Sequence, residues 1–200
     1  MEELRAKNTF HEIKNQISVC ELYTEVIRRT LEKEGIENEV LTRSIKNIKN
    51  SLDLIAQSTT HLRETKLSQY NLYEIIENVF EICKTYKNIT LENKIPNNTT
   101  ILADKNKLTS ALVNIFKNAI EANATKIKIS SNNNTISIEN NGDIILEEIK
   151  EKIFTDGFTT KENGSGLGLM LTKEMLKEQN LTLTLEKSTN DVTIFNISTR

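Results

Sequence analysis

Apolar residues in the first third of the chain recur at alternating spacings of three and four. Phe10, Ile13, Ile17, Cys20, Thr24, Ile27 and Leu31 form one series, and Leu41, Ile45, Ile48, Leu52, Ile55, Thr59 and Leu62 a second. This alternation is the seam of a helix that packs on other helices. Glu34-Gly35-Ile36 separates the two series and holds the only glycine before position 142, so residues 1–66 read as an antiparallel helical hairpin. Two helices bury little surface by themselves, and Val19, Leu22 and Val26 fall off the seam. A second copy that completes a four-helix bundle would cover them, so a homodimer is expected.

After Ser68 the pattern changes. Leu72, Ile75, Ile76, Val79, Phe80 and Cys83 describe an amphipathic helix, followed by an extended run at Thr90–Ile95 and the single proline, Pro96. Leu108, Ala111, Leu112, Ile115, Phe116 and Ala119 predict another helix. Strict alternation in Lys126–Ser130 and Thr135–Glu139, and again in Leu181–Leu185 and Val192–Ile197, predicts two antiparallel strand pairs. Leu146–Phe154 and Leu167–Lys177 read as helical. The mixture predicts an α+β fold, with a helical hairpin over residues 1–68 and a two-layer α/β sandwich over 69–200.

Composition narrows the function. The net charge of −2 arises from 26 basic and 28 acidic side chains, a mixture of signs that argues against a nucleic-acid groove. The N-terminus is charged without an apolar core segment, and no run of 18 apolar residues occurs. The expectation is a cytoplasmic protein with no membrane contact. Cys20 and Cys83 both sit in apolar helical patterns and read as buried free thiols.

Every glycine except Gly35 falls between positions 142 and 168. Gly164-Ser165-Gly166-Leu167-Gly168-Leu169 runs into an apolar helix, which suits either backbone N–H groups approaching phosphate or a plain hinge. Asn114 and Asn118 lie one helical turn apart, so both amides share a face. An Asn carbonyl oxygen is a hard ligand suited to Mg²⁺, although an N-x-x-x-N pair also arises by accident in an Asn-rich chain. Ile138-Glu139-Asn140-Asn141-Gly142-Asp143 ends a strand in a polar pair and a glycine, which fits an adenine-reading corner or a generic turn.

In order and spacing, these segments resemble the histidine kinases and the wider ATPase superfamily of gyrase, Hsp90 and MutL. HEIKNQI at 11–17 resembles the H box, NIFKNAIEA at 114–122 the N box and NNGD at 140–143 the G1 box. IFTDGFTTK at 153–161 resembles the F box and GSGLGL at 164–169 the G2 box. The resemblance implies ATP and Mg²⁺ as cofactors. It implies Asn118 as the Mg²⁺ ligand, Asn114 and Lys117 near the phosphates, and Asn140 as acceptor of the adenine amino group with Gly142 clearing space beside the base. Residues 143–168 would form a lid over ATP, anchored by Phe154 and Phe158 and shaped by Gly164, Gly166 and Gly168, with Lys161 approaching the γ-phosphate.

His11 occupies a position off the apolar seam and is expected to be exposed, with Glu12 beside it and Asn15 one turn on. A phosphoacceptor imidazole needs access, one unprotonated nitrogen and a partner for its other nitrogen, and an adjacent carboxylate supplies that partner. The resemblance makes His11 the phosphorylated residue and an aspartate on a response-regulator receiver domain the next acceptor. Glu12 and Asn15 match the pattern of relatives that also dephosphorylate that aspartate. His61 has no such surroundings and reads as a surface residue.

The chain departs from the family pattern in having Gln16 where Pro is common, Asn140 where Asp is common, and Ile144 where a second Gly is common. Asn140 keeps an acceptor oxygen but offers a weaker bond than a carboxylate. Ten residues precede His11, which predicts a kinase core without a sensor domain, driven by a partner or a separate sensor protein. The alternative is a histidine phosphotransfer protein whose degenerate second domain no longer binds ATP; that reading predicts damaged N and G2 boxes, and both are intact.

Overall fold

The computed structural model describes residues 2–84, 89–132, 134–161 and 166–199, and the side chains of residues 2–12, 14, 15, 46 and 50 lie outside that description. Two compact units divide the chain, Met1–Arg63 with Thr159–Ser165 and Glu64–Phe158 with Gly166–Arg200.

The first unit is built on two helices, α1 (Glu2–Lys33) and α2 (Glu39–His61). Gly35 ends α1 in the left-handed region, φ +65°, where a side chain would be strained. The Ile36 N–H donates to the Leu31 carbonyl at 2.9 Å and the Gly35 N–H to the Glu32 carbonyl at 3.2 Å, so the last free carbonyls of the helix are satisfied. Asn38 caps α2 by accepting the Leu41 N–H at 3.0 Å.

Among the described side chains, two members of each apolar series, seven positions apart, are buried. Ile17 and Thr24 on α1, and Ile45 and Leu52 on α2, are buried. The intervening Ile27, Ile48 and Ile55 stay about half exposed, as do Val19 and Val26. Cys20 shares the uncovered position, so this thiol is exposed and not buried as the periodicity suggested. Both cysteines are free, and Cys83 is buried, which pushes its thiol up to about 12.

Glu25 joins the two helices electrostatically. Its carboxylate accepts bonds from Arg28 and Arg29 on α1 and, at 3.1 Å, from Lys49 on α2. The Arg28 guanidinium first, then Arg29 and Lys49, hold the carboxyl far below the ordinary value of 4.5. A lowered folded-state value stabilises the fold in full above the unfolded value, and the gain disappears as pH falls through the lowered one. Glu25→Gln should therefore cost no more than about 1 kcal/mol at pH 7, since the cluster is partly solvated. The difference in Tm between parent and variant should shrink at pH 3; equal differences at the two pH values would show that the charge cluster is not the cause.

The second unit has a mixed five-stranded sheet with helices on one face. Its elements are β1 (Ser68–Asn71), α3 (Leu72–Lys84), β2 (Thr90–Asn93), β3 (Thr100–Ala103), α4 (Lys105–Glu121), β4 (Lys126–Asn132), β5 (Thr135–Asn140), α5 (Gly168–Lys177), β6 (Leu181–Ser188) and β7 (Thr193–Thr199). The sheet order is β2-β4-β5-β7-β6, which makes β7 an inner strand, and β1 pairs with β3 in a separate two-stranded ribbon. β2 runs parallel to β4 and the other pairs are antiparallel.

Strand alternation decides which residues face the helices. Ile127, Ile129, Ile136, Ile138, Leu181, Leu183, Phe195 and Ile197 turn inward and join Ile76, Val79, Leu112, Ile115 and Phe116 in one buried cluster. The outward positions are polar, as where the Ser137 hydroxyl donates to Asn196 Oδ1 at 2.9 Å.

Three features depart from the sequence reading. β1 and β3 have four residues each, too few to show a period. The expected helix over Leu146–Phe154 is two 3₁₀ turns, Glu147–Ile149 and Lys152–Phe154, in which only Ile153 is buried; one buried residue in two turns does not hold a longer helix against the core. The strand at 90–93 adds in parallel to β4, because the chain passes through β3 and α4 before returning beside it.

Candidate nucleotide-binding site

Helix α4 starts at Asp104, whose Oδ1 accepts the N–H groups of Asn106 and Lys107 at 3.0 and 3.1 Å. Nearly three turns further, Asn114 is buried at 5% exposure and its Nδ2 donates to Thr172 Oγ1 at 2.9 Å. The Thr172 hydroxyl in turn donates to the Gly168 carbonyl at 2.8 Å. A Cβ on Gly168 would stand 2.8 Å from Asn114 Oδ1, so the first turn of α5 lies directly against the Asn114 amide. Asn118 is half-buried one turn along α4. Lys117 is also half-buried, with its ammonium 4.0 Å from Glu121.

The other wall is the turn after β5. Asn140 is buried, its Oδ1 accepting the Gly142 N–H at 3.0 Å and its Nδ2 lying 3.5 Å from the Thr193 carbonyl. Thr193 and Ser188 share a hydroxyl bond at 2.7 Å, and Ser188 Oγ accepts the Ile145 N–H at 2.8 Å. Gly142 is pressed against the end of α4: an added Cβ would come within 2.6 Å of the Ala122 carbonyl oxygen. Asp143 reinforces this contact through its N–H to that same oxygen and through a 2.7 Å bond accepted from Asn123 Nδ2. The turn after β5 and the C-terminal end of α4 are therefore fixed to each other.

Phe154 stacks edge-on against Phe195 at 6.4 Å between centroids, with the Lys173 ammonium 5.0 Å above its ring. Phe158 also packs on the core. Gly166 has φ +71°, and a Cβ there would sit 2.2 Å from the Gly157 carbonyl carbon, so no other residue fits. Lys161 is exposed, its N–H bonded to Thr159 Oγ1 at 3.0 Å. Gly164 lies outside the described residues, and the side chains of His11, Glu12 and Asn15 do too; the backbone of those three belongs to α1.

The structure thus brings Asn114 to Gly168, Asn140 to Gly142, and Phe154 to the core. His11, Glu12, Asn15 and Lys161 belong to the other unit. Sequence reasoning missed three supporting residues. Thr172 locks Asn114, and its signal was a hydroxyl on the buried face of an apolar helix. Asn141 accepts the Thr125 and Lys126 N–H groups at 3.0 and 2.9 Å, which turns it toward β4 and away from the Asn140 side. Thr193 closes the corner behind Asn140 and left no signal, since it comes from a strand more than fifty residues further along the chain.

The donor set suits a magnesium nucleotide. A side-chain amide oxygen at Asn118 is a hard ligand, Asn140 Oδ1 retains a second lone pair beyond the one Gly142 uses, and the start of α5 presents backbone N–H groups after a glycine turn.

Residues 103–199 match the family of histidine kinase-, DNA gyrase B- and HSP90-like ATPases. The signal transduction histidine-protein kinase AtoS of Escherichia coli is 28% identical over 180 residues, covering 83% of this chain and 29% of AtoS. The curated relatives are longer, and the matches span from 25% to 46% of their length. Among solved structures, the nucleotide-free catalytic domain of histidine kinase ThkA is 32% identical with a TM-score of 0.58, covering 66% of this chain and 95% of that one. ThkA in complex with the response regulator TrrA is 28% identical with a TM-score of 0.59, covering 99% of this chain and 61% of that one.

Proposed function

Because this chain belongs to the histidine kinases of the histidine kinase-, DNA gyrase B- and HSP90-like ATPase family, we propose that it is an ATP-dependent autokinase that phosphorylates His11 and passes the phosphoryl group to an aspartate of a response regulator. The observation that carries this reading is the locking of Asn114 to Thr172 and Gly168. It sets the asparagine-bearing face of α4 beside the glycine-led start of α5, the arrangement a nucleotide triphosphate needs.

Asn118 would hold Mg²⁺, which offsets negative charge on the phosphates. Asn114 positions the α5 turn, and that turn offers N–H groups to the phosphates. Asn140 accepts from the base, and Gly142 keeps a flat ring clear of side chains. An unprotonated nitrogen of His11 attacks the γ-phosphorus, the bond to the β–γ bridging oxygen breaks, and ADP leaves. Glu12 accepts the N–H of the other ring nitrogen and keeps the attacking one unprotonated. The phosphoryl group then moves to the partner's aspartate carboxylate, restoring the imidazole. In the reverse regulatory sense, Asn15 orients a water in line with the acyl phosphate, and Glu12 supports it.

The half-exposed apolar positions of α1 and α2 support a homodimer in which two helical hairpins form a four-helix bundle. No described helix is long and apolar enough to cross a membrane.

The test is incubation of the purified protein with Mg²⁺ and γ-labelled ATP. Acid-labile label on the tryptic peptide Asn8–Lys14, followed by transfer to a receiver domain, is the expected result. A folded protein that binds ATP but takes no label sinks the autokinase reading; one that binds no nucleotide and still accepts label from a phosphorylated receiver domain is a phosphotransfer protein.

A further inference from the structure

Lys107 is a fully buried lysine, 2% exposed, in the first turn of α4 and outside the nucleotide-facing residues. Its ammonium donates to the Glu178 carboxylate just past α5 and to Thr65 Oγ1 at 2.9 Å. Thr65 Oγ1 itself donates to Glu178 at 3.3 Å. The neighbouring Asp104 uses its second oxygen to accept the Lys66 N–H at 2.9 Å, and its own N–H donates to the Oε1 of buried Gln179 at 2.7 Å.

Burying an ammonium is costly unless it is fully partnered, and an apolar side chain would fill the same volume more cheaply. This one is partnered by the segment that leaves the helical unit. The first stretch of the first unit ends at Arg63, and two residues later the chain is bonded to Lys107 of α4 and to Glu178, which caps α5. α4 and α5 are tied a second time by Asn114 and Thr172, each near the middle of its helix.

We propose that Lys107 is a positioning residue: with Glu178 and Asp104 it clamps the connecting segment at Thr65–Lys66 to the α4–α5 pair, so that the chain leaving the phosphoacceptor helices after Arg63 is anchored to the ATPase unit from Thr65 onward. The role in phosphoryl transfer rests on the autokinase reading above; the clamp itself does not. A short joint restricts how the histidine approaches the nucleotide, and a lengthened one raises the orientational cost of transfer without touching nucleotide contacts.

The experiment compares the full chain with its Lys107→Met and Thr65→Val variants. Three readouts are needed: tryptic cleavage at Arg63 and Lys66, affinity for a fluorescent ADP analogue, and autophosphorylation rate at saturating ATP. Cleavage after Lys66 should accelerate about tenfold in both variants while nucleotide affinity stays within about twofold, and the saturated rate should fall on the order of tenfold with KM unchanged. Thr65→Val keeps the test valid if Lys107→Met fails to fold. Unchanged cleavage at Lys66 overturns the clamp, and a parallel loss of nucleotide affinity in Thr65→Val reduces Lys107 to a core residue. If the parent takes no label, cleavage and affinity still decide on the clamp, and only the autokinase reading fails.

Discussion

His11→Ala is expected to lose its acid-labile phosphoryl label entirely, a fall of at least about a hundredfold, while nucleotide affinity stays within about twofold of the parent. The reasoning is chemical. Only an unprotonated nitrogen gives an N–P bond that acid breaks and alkali spares, and the chain has two histidines. His61→Ala serves as the control and should label normally, because His61 lies in the last turn of α2 without the acid-and-amide pattern that follows His11. Since His11 belongs to the first unit and Asn114, Asn118, Asn140 and Gly168 to the second, the substitution removes the proposed acceptor and leaves those residues intact. Measuring label and binding on the same sample separates a missing nucleophile from a damaged ATP site. Residual acid-labile label in His11→Ala would move the acceptor elsewhere.

Gly168→Ala is expected to weaken nucleotide binding by at least about tenfold, roughly 1.4 kcal/mol, with the fold retained. The new methyl group would stand 2.8 Å from Asn114 Oδ1 and 3.2 Å from Asn114 Nδ2. Asn114 cannot yield freely, because it is buried and donates to Thr172. Either the amide rotates and leaves a buried polar group short of a partner, at about 1–3 kcal/mol, or the first turn of α5 backs away from α4. Both responses disturb the N–H groups that would meet phosphate. Calorimetric titration with ADP and Mg²⁺ measures the loss, and a thermal melt gauges the stability cost. Undiminished affinity would mean that the α4–α5 contact and the nucleotide site are independent.

Much of the architecture could be read from periodicity. The helices at 72–84 and 105–121, and the strand pairs at 126–140 and 181–199, follow from buried faces that repeat every three to four or every two residues. Features without a repeat stayed hidden, such as the four-residue strands of the β1–β3 ribbon and the parallel placement of β2. Asn140 and Gly142 were marked by a turn signal, and they do meet in one corner. Their anchoring depends on Thr193 and Ala122, contributed by elements far apart in sequence, and no local pattern encodes such a meeting. Lys107 shows the opposite limit. In the sequence it is one lysine among many, and only the fold reveals that its charge is enclosed.

The place of β7 has a consequence for biosynthesis. It lies between β5 and β6, so Phe195 and Ile197 fill the buried sheet face between two strands that both precede it in the chain. The helices of the first unit can form while synthesis continues, because their contacts are close in sequence. The sheet of the second unit must wait with facing edges of β5 and β6 unpaired until β7 has emerged, which leaves those edges open to mispairing during synthesis.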